Sequence, residues 1–305
     1  MTDMESAAEK KDEGILGSVK VFFTSFIRIR GVLNWSVIAF FGFLLGIPSL
    51  DVLNYLFSLC VFLVCTFFIL SFTFAINNYY DVETDKENPR RVHLNAIASG
   101  RLSKRTGKIL NLIFVVIPLV LSLFYSWFIF VLCALLLFWM WAYSAPPFRL
   151  KGRAGWDILW HFVAFAALVL WGSYLAGSIT TIQILVSVSF GVFGCFGQID
   201  NHIRDYLFDK ASGSTTFAVW IGLPKAQTAL HFVFFIYIIS LVPLIVLWSF
   251  QSVLTGLLLC GGVFISLLCI QQAKSLDVSC LYRVIFFFGG SVYLTCLISH
   301  MSSML

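Results

Sequence analysis

The chain has 305 residues, 60% of them hydrophobic and 17% aromatic, with only 11% charged and a formal net charge of +5. A soluble domain of this length carries about a quarter charged residues, so this composition, with a mean hydropathy of +0.93, excludes an ordinary soluble globule. It points to an integral membrane protein and offers nothing for nucleic acid.

Residues 1–20 are polar and mixed in charge. They are expected to form a cytoplasmic tail, partly disordered, ahead of a single membrane domain over 21–305. The first long apolar run starts only after residue 30, so no cleavable signal peptide is expected. Nine apolar runs follow, at 31–49, 53–77, 107–125, 127–144, 157–177, 179–199, 226–249, 252–271 and 281–300. Each approaches the ~20 residues that a helix needs to cross a bilayer core. The gaps near Ser126 and Gly177 are short enough for tight hairpins. The eight cysteines form no CxxC pair and nearly all lie inside apolar runs, where Cys behaves as a small apolar side chain.

Numbering the loops alternately sorts the charges. One side holds the N-terminus and the loops at 78–106, 145–156, 200–225 and 272–280, and with the adjoining helix ends it carries all 20 Lys and Arg. Of the 15 acids only Asp51 lies on the other side. Positive charge marks the cytoplasmic face, which places the N-terminus and these loops in the cytoplasm of a cell-membrane protein. The basic bias also suits anionic membrane lipids or an anionic substrate.

The acids are not scattered. Asp81, Glu83, Asp85 and Glu87 follow the second run, and Asp205 and Asp209 follow the sixth. Both places read DxxxDK and both precede a loop containing Ser-Gly. Four spans separate them, so both leave the membrane on the same side. The expected fold is therefore all-α: two pseudo-repeated four-helix units and a ninth helix around a central cavity. Residues i and i+4 share a helix face, so each pair of aspartates points together, and Asn77 extends the first row by a turn. Paired like charges repel unless a cation offsets them. Oxygen donors without a His or Cys cluster favour a hard ion such as Mg2+, which is usually shared between carboxylates and substrate phosphates. Solvated acidic helix ends remain the bland alternative.

These residues resemble the UbiA superfamily of intramembrane prenyltransferases, whose pattern is N-D-x-x-D-x-x-x-D after the second helix and D-x-x-x-D after the sixth. The first motif runs here from Asn77 to Asp85, with Asn78 where most relatives have Asp; the second runs from Asp205 to Asp209. The stretch AIASGRLS (Ala96 to Ser103) and the stretch YSAPPFRLKGR (Tyr143 to Arg153) are similar to two further family segments. The resemblance implies that Asn77, Asp81, Asp85, Asp205 and Asp209 bind two or more Mg2+ ions. Those ions would hold an isoprenyl diphosphate, which ionises to an allylic cation that a small acceptor attacks. Lys151, Arg149, Arg153, Arg91, Arg101, Arg204 and Lys210 are candidates for diphosphate oxygens, and each is otherwise a cytoplasmic anchor. Tyr143 could steady the cation.

Roles for Arg28, Arg30 and Asn34 in acceptor binding, for His161 as a base and for Asp200 as a ligand are weaker readings, and His93 and His202 are taken as loop residues. The loop from Asn88 to Ser103, with Arg90, Arg91, His93 and Arg101, is expected to act as a lid. The expected function is polyprenyl transfer in lipid or quinone biosynthesis. A terpene cyclase without an acceptor, a membrane carrier and a silent isoprenoid binder are the alternatives.

Overall fold

The computed structural model describes residues 14, 16–49, 51–88, 91–248, 252–273 and 277–304. Most of the expected tail and Arg90 fall outside that set. Among the described residues nine helices are long and apolar enough to cross a membrane, and no strand is present. They are α1 (Ile29–Gly46), α2 (Leu56–Tyr80), α3 (Lys104–Tyr125), α4 (Trp127–Ser144), α5 (Trp156–Ala176), α6 (Thr181–Ala211), α7 (Leu223–Trp248), α8 (Val253–Gln272) and α9 (Val278–Ser302). The protein is thus an all-helical, multi-pass membrane protein.

Local chemistry sets the helix ends. Ser103 and Ser126 accept hydrogen bonds from the backbone N–H groups of Thr106 and Ile129, which caps α3 and α4. Thr180 and Gln183 form a capping box on α6. Gly177, at φ 130°, closes α5 in a conformation that a side chain would resist.

The largest departure from the expected boundaries concerns α6. The second acidic motif was placed in a loop at 200–225, but the helix continues unbroken to Ala211. Pairs along the helix surface account for the extension. Arg204 reaches back to Asp200 at 2.7 Å and Lys210 lies over the Tyr206 ring. Hydropathy marks where the apolar layer stops, and a helix can outlast it.

The chain divides into two compact units. The first contains the residues up to Val37 and Val61–Arg149; the second contains Ile38–Cys60 and everything from Leu150 onward. In the first unit Phe22, Phe26, Phe68 and Phe114 form a ring cluster with centroids 5.8 to 6.3 Å apart. In the second, α1 meets α5 backbone to backbone. A Cβ on Gly42 would lie 2.1 Å from the Val169 carbonyl oxygen, and one on Gly172 would lie 2.0 Å from that of Ala39. Ser173 Oγ donates to the Gly42 carbonyl across this contact at 2.9 Å. Small residues four apart, Gly42 and Gly46, allow the approach, since helices in lipid associate by close packing.

Candidate active site

The first acidic motif is built on a break. Helix α2 ends at Tyr80, Asp81 takes φ −97° and ψ 8°, and a short helix then runs over Val82–Lys86. The Asp85 N–H still donates to the Asp81 carbonyl at 2.7 Å, so the two aspartates stay one turn apart. Asn77 and Asp81 are half-buried and Asp85 is buried at 4% exposure.

Asn95, which sequence reasoning did not single out, organises this motif. Its Nδ2 donates to Asp85 Oδ2 at 2.8 Å and to the Asn78 carbonyl at 3.0 Å. Its Oδ1 accepts from the N–H groups of Ile97 and Ala98. The only signal was its position directly before the AIASG stretch. Asn78 is fully buried, and its Nδ2 donates to the carbonyls of Ser25 at 3.1 Å and Phe26 at 2.8 Å. An Asp could make neither bond.

Several basic groups gather at this motif. Arg149 Nη2 is 3.6 Å from Asp81 Oδ1. Arg28 sits at a left-handed φ of 51°, within electrostatic reach of Asp81, Asp85, Arg91 and Tyr143, and its Nε is buried without a partner. Burial works against the Arg28 charge, and the two aspartates support it. Burial likewise pushes the Asp85 carboxyl above the usual range; Asp81 adds to the shift and the Asn95 hydrogen bond offsets part of it. Beside Arg28 a cavity of about 410 Å³ is lined by Thr24, Arg28, Arg30 and Leu94 among others. Arg101 is turned onto its own loop, donating to Ser99 Oγ at 2.8 Å and to the His93 carbonyl. Arg91 is exposed.

The second motif lies on the last turns of α6, with Asp205 half-buried and Asp209 buried. Lys210 Nζ stands 5.8 Å over the Tyr206 ring. Arg204 donates to Asp200 Oδ2 at 2.7 Å and to Asn201 Oδ1 at 2.9 Å. Asp200 also accepts from the Tyr282 hydroxyl at 2.9 Å, so it ties α6 to α9. In the same unit Lys151 is half-buried on the turn Leu150–Gly152 and Arg153 is exposed. Thr215 Oγ1 donates to the Gly152 carbonyl at 2.6 Å, which joins that turn to the loop after α6. His161 Nδ1 lies 2.8 Å from the Asp157 carbonyl one turn back. His202 is not a loop residue: it is buried in α6.

Among the described residues no three of His, Cys, Asp and Glu converge as a closed metal cage. Each motif instead offers two carboxylates one turn apart, and Asp85 bears a burial cost that a cation would relieve. That donor set fits Mg2+, which seldom takes an all-protein cage and shares its coordination with phosphate oxygens.

The fold defines a multi-pass helical membrane protein that carries two paired-aspartate motifs. A family model described as the UbiA prenyltransferase family matches residues 32–290, and the chain belongs to that family. It is 29% identical over 204 residues to the digeranylgeranylglyceryl phosphate synthase of Pyrococcus horikoshii, covering 64% of this chain and 66% of that one. It is 27% identical over 184 residues to a lycopene elongase/hydratase of Corynebacterium glutamicum, covering 58% and 62%. In both cases the match spans just under two thirds of the relative. A UbiA homologue from Archaeoglobus fulgidus, solved with DMAPP and Mg2+, shares the fold at a TM-score of 0.70 and 20% identity, covering 92% of this chain and 98% of that one.

Proposed function

We propose that the protein is a Mg2+-dependent prenyltransferase that moves a polyprenyl group from an isoprenyl diphosphate to a small acceptor in lipid or quinone biosynthesis. The observation that carries this reading is the first motif: a buried and a half-buried aspartate one turn apart, with Arg149 at 3.6 Å and Arg28 close by, in a member of this family. The structure of the Archaeoglobus fulgidus relative with DMAPP and Mg2+ supports the same donor chemistry.

Asn77, Asp81, Asp85, Asp205 and Asp209 would hold two or more Mg2+ ions. Bound there, the metal neutralises the diphosphate as it departs. Arg149 and Lys151 are the favoured basic partners of the diphosphate. Arg91, Arg153 and Lys210 are exposed and are further candidates for the diphosphate oxygens. Arg204 and Arg101 already have oxygen partners, so they would have to exchange those for the substrate. Tyr143, at the end of α4, presents its ring to the developing cation. Apolar helices house the prenyl chain and keep water from quenching the cation.

The acceptor is proposed to carry a phosphate or carboxylate, because Arg28 and Arg30 line the cavity of the first unit and the Arg28 Nε lacks a partner. A glyceryl phosphate lipid, suggested by the name of the Pyrococcus horikoshii relative, meets that requirement. The protein would sit in the cell membrane with its N-terminus and both motifs on the cytoplasmic face.

The test is diphosphate release from geranylgeranyl diphosphate by purified protein, with and without Mg2+, beside Asp81→Ala and Asp205→Ala. Release that requires Mg2+ and falls by at least roughly 100-fold in both variants is expected. Metal-independent release, or full release by either variant, would overturn the assignment.

A further inference from the structure

His202 lies on α6 one helical turn ahead of Asp205 and is 5% exposed. Its Nε2 is 2.8 Å from Oδ2 of Asp157, a fully buried carboxylate in the first turn of α5. The other oxygen, Oδ1, accepts from the N–H of Ile158 at 2.9 Å. Oδ2 completes no hydrogen bond of good geometry, so the approach of His202 is an electrostatic pairing at close range. The Gln198 side chain also lies 2.8 Å from Nε2, and its amide must turn its oxygen inward to suit an N–H there. A carboxylate facing Nε2 holds the imidazole proton on that nitrogen. The lone pair is then left on Nδ1, which is buried and has no partner. His161 lies in the same cluster, with its own Nδ1 2.8 Å from the Asp157 main-chain carbonyl.

A histidine kept only for packing would not need a bare acceptor inside the protein, since an unmade hydrogen bond there destabilises the fold. Buried imidazole, a carboxylate that fixes its tautomer and an open lone pair make up the arrangement of a general base. The pair stands beside the second motif and the turn bearing Lys151, in one unit of the protein.

We propose that His202, oriented by Asp157, takes the proton that the acceptor loses when it is prenylated. This rests on the prenyltransferase reading and deepens it. In the step, the allylic C–O bond of the donor breaks and its electron pair leaves with the diphosphate. The acceptor hydroxyl oxygen forms the new C–O bond, and the electrons of its O–H bond remain on that oxygen. The proton passes to Nδ1 of His202. Asp157 touches no reacting atom and is a positioning residue.

Wild type, His202→Gln and Asp157→Asn would be given Mg2+, geranylgeranyl diphosphate and geranylgeranylglyceryl phosphate, an acceptor with a free hydroxyl. Diphosphate release and prenylated product are measured separately. Glutamine can present an amide N–H to Asp157 but takes up no proton. The expected result for His202→Gln is diphosphate release near the wild-type level, a roughly 100-fold fall in coupled product and prenyl alcohol in its place. Asp157→Asn should fall in the same direction, and added imidazole should partly restore coupling to His202→Ala. Coupled product at the wild-type level in His202→Gln overturns the proposal, as does a parallel loss of release and product, which would mark a purely structural pair. Wild type that releases diphosphate yet leaves this acceptor unprenylated also overturns it, because no acceptor proton is then transferred. Wild type that releases no diphosphate at all overturns the prenyltransferase reading itself.

Discussion

Asn78 stands where the family pattern that the sequence resembles has Asp, and its surroundings show what the amide does. Its Nδ2 donates to the carbonyls of Ser25 and Phe26, which anchors the segment before α1 to the end of α2. Restoring the family residue, Asn78→Asp, would put a carboxylate against two carbonyl oxygens. It should destabilise the protein by about 2–3 kcal/mol, read as a lower unfolding midpoint in detergent. Asp85 carries a second prediction. Because burial raises its pKa, the metal-free folded protein holds this proton more tightly than the unfolded chain does. The stability tied to this group is therefore fully present below the ordinary carboxylate pKa, falls as pH rises from there to the raised value and levels off above it. Asp85→Asn should flatten that dependence in unfolding scans with EDTA between about pH 4 and about pH 8, while abolishing Mg2+-dependent turnover. The sequence carried both aspartates and flagged Asn78 as a departure. It marked Asn95 only by its place before the AIASG stretch and gave no hint of the Asp157–His202 pair, because those contacts join residues 10 and 45 positions apart whose meeting depends on the fold.

At the level of the helices, all nine apolar runs are present, and their ends shift where polar chemistry takes over from hydropathy. The second motif shows this best. Asp200, Arg204, Tyr206 and Lys210 interact along the helix surface and carry α6 past the continuous apolar run, whereas α2 stops at Asp81. Two copies of one motif thus rest on different backbones, a distinction that DxxxD spacing cannot encode. The α1–α5 contact yields a prediction with its own control. Gly42→Ala and Gly172→Ala drive a Cβ into a neighbouring carbonyl and should each cost about 1–3 kcal/mol of stability, with lower yield of folded protein. Gly261→Ala, where a Cβ meets nothing within 4 Å, should leave the unfolding midpoint unchanged.

For the molecule as a whole, the distribution of Lys and Arg implies a single orientation. In a cysteine-free background, Lys86→Cys should react with a membrane-impermeant thiol reagent only after the cell is opened, and Asp51→Cys should react in intact cells. Both positions are exposed at opposite ends of α2. The reverse pattern would invert the topology. The sequence repeat and the structural division also differ in a way that bears on how such a chain could be divided. The repeat would separate the halves near residue 150, yet Ile38–Cys60, with Gly42 and Gly46, belongs to the later unit. A gene fission there would deliver a second product without the helix segment on which α5 closes. The two products would be obligate companions, each accumulating only when its counterpart is made in the same cell.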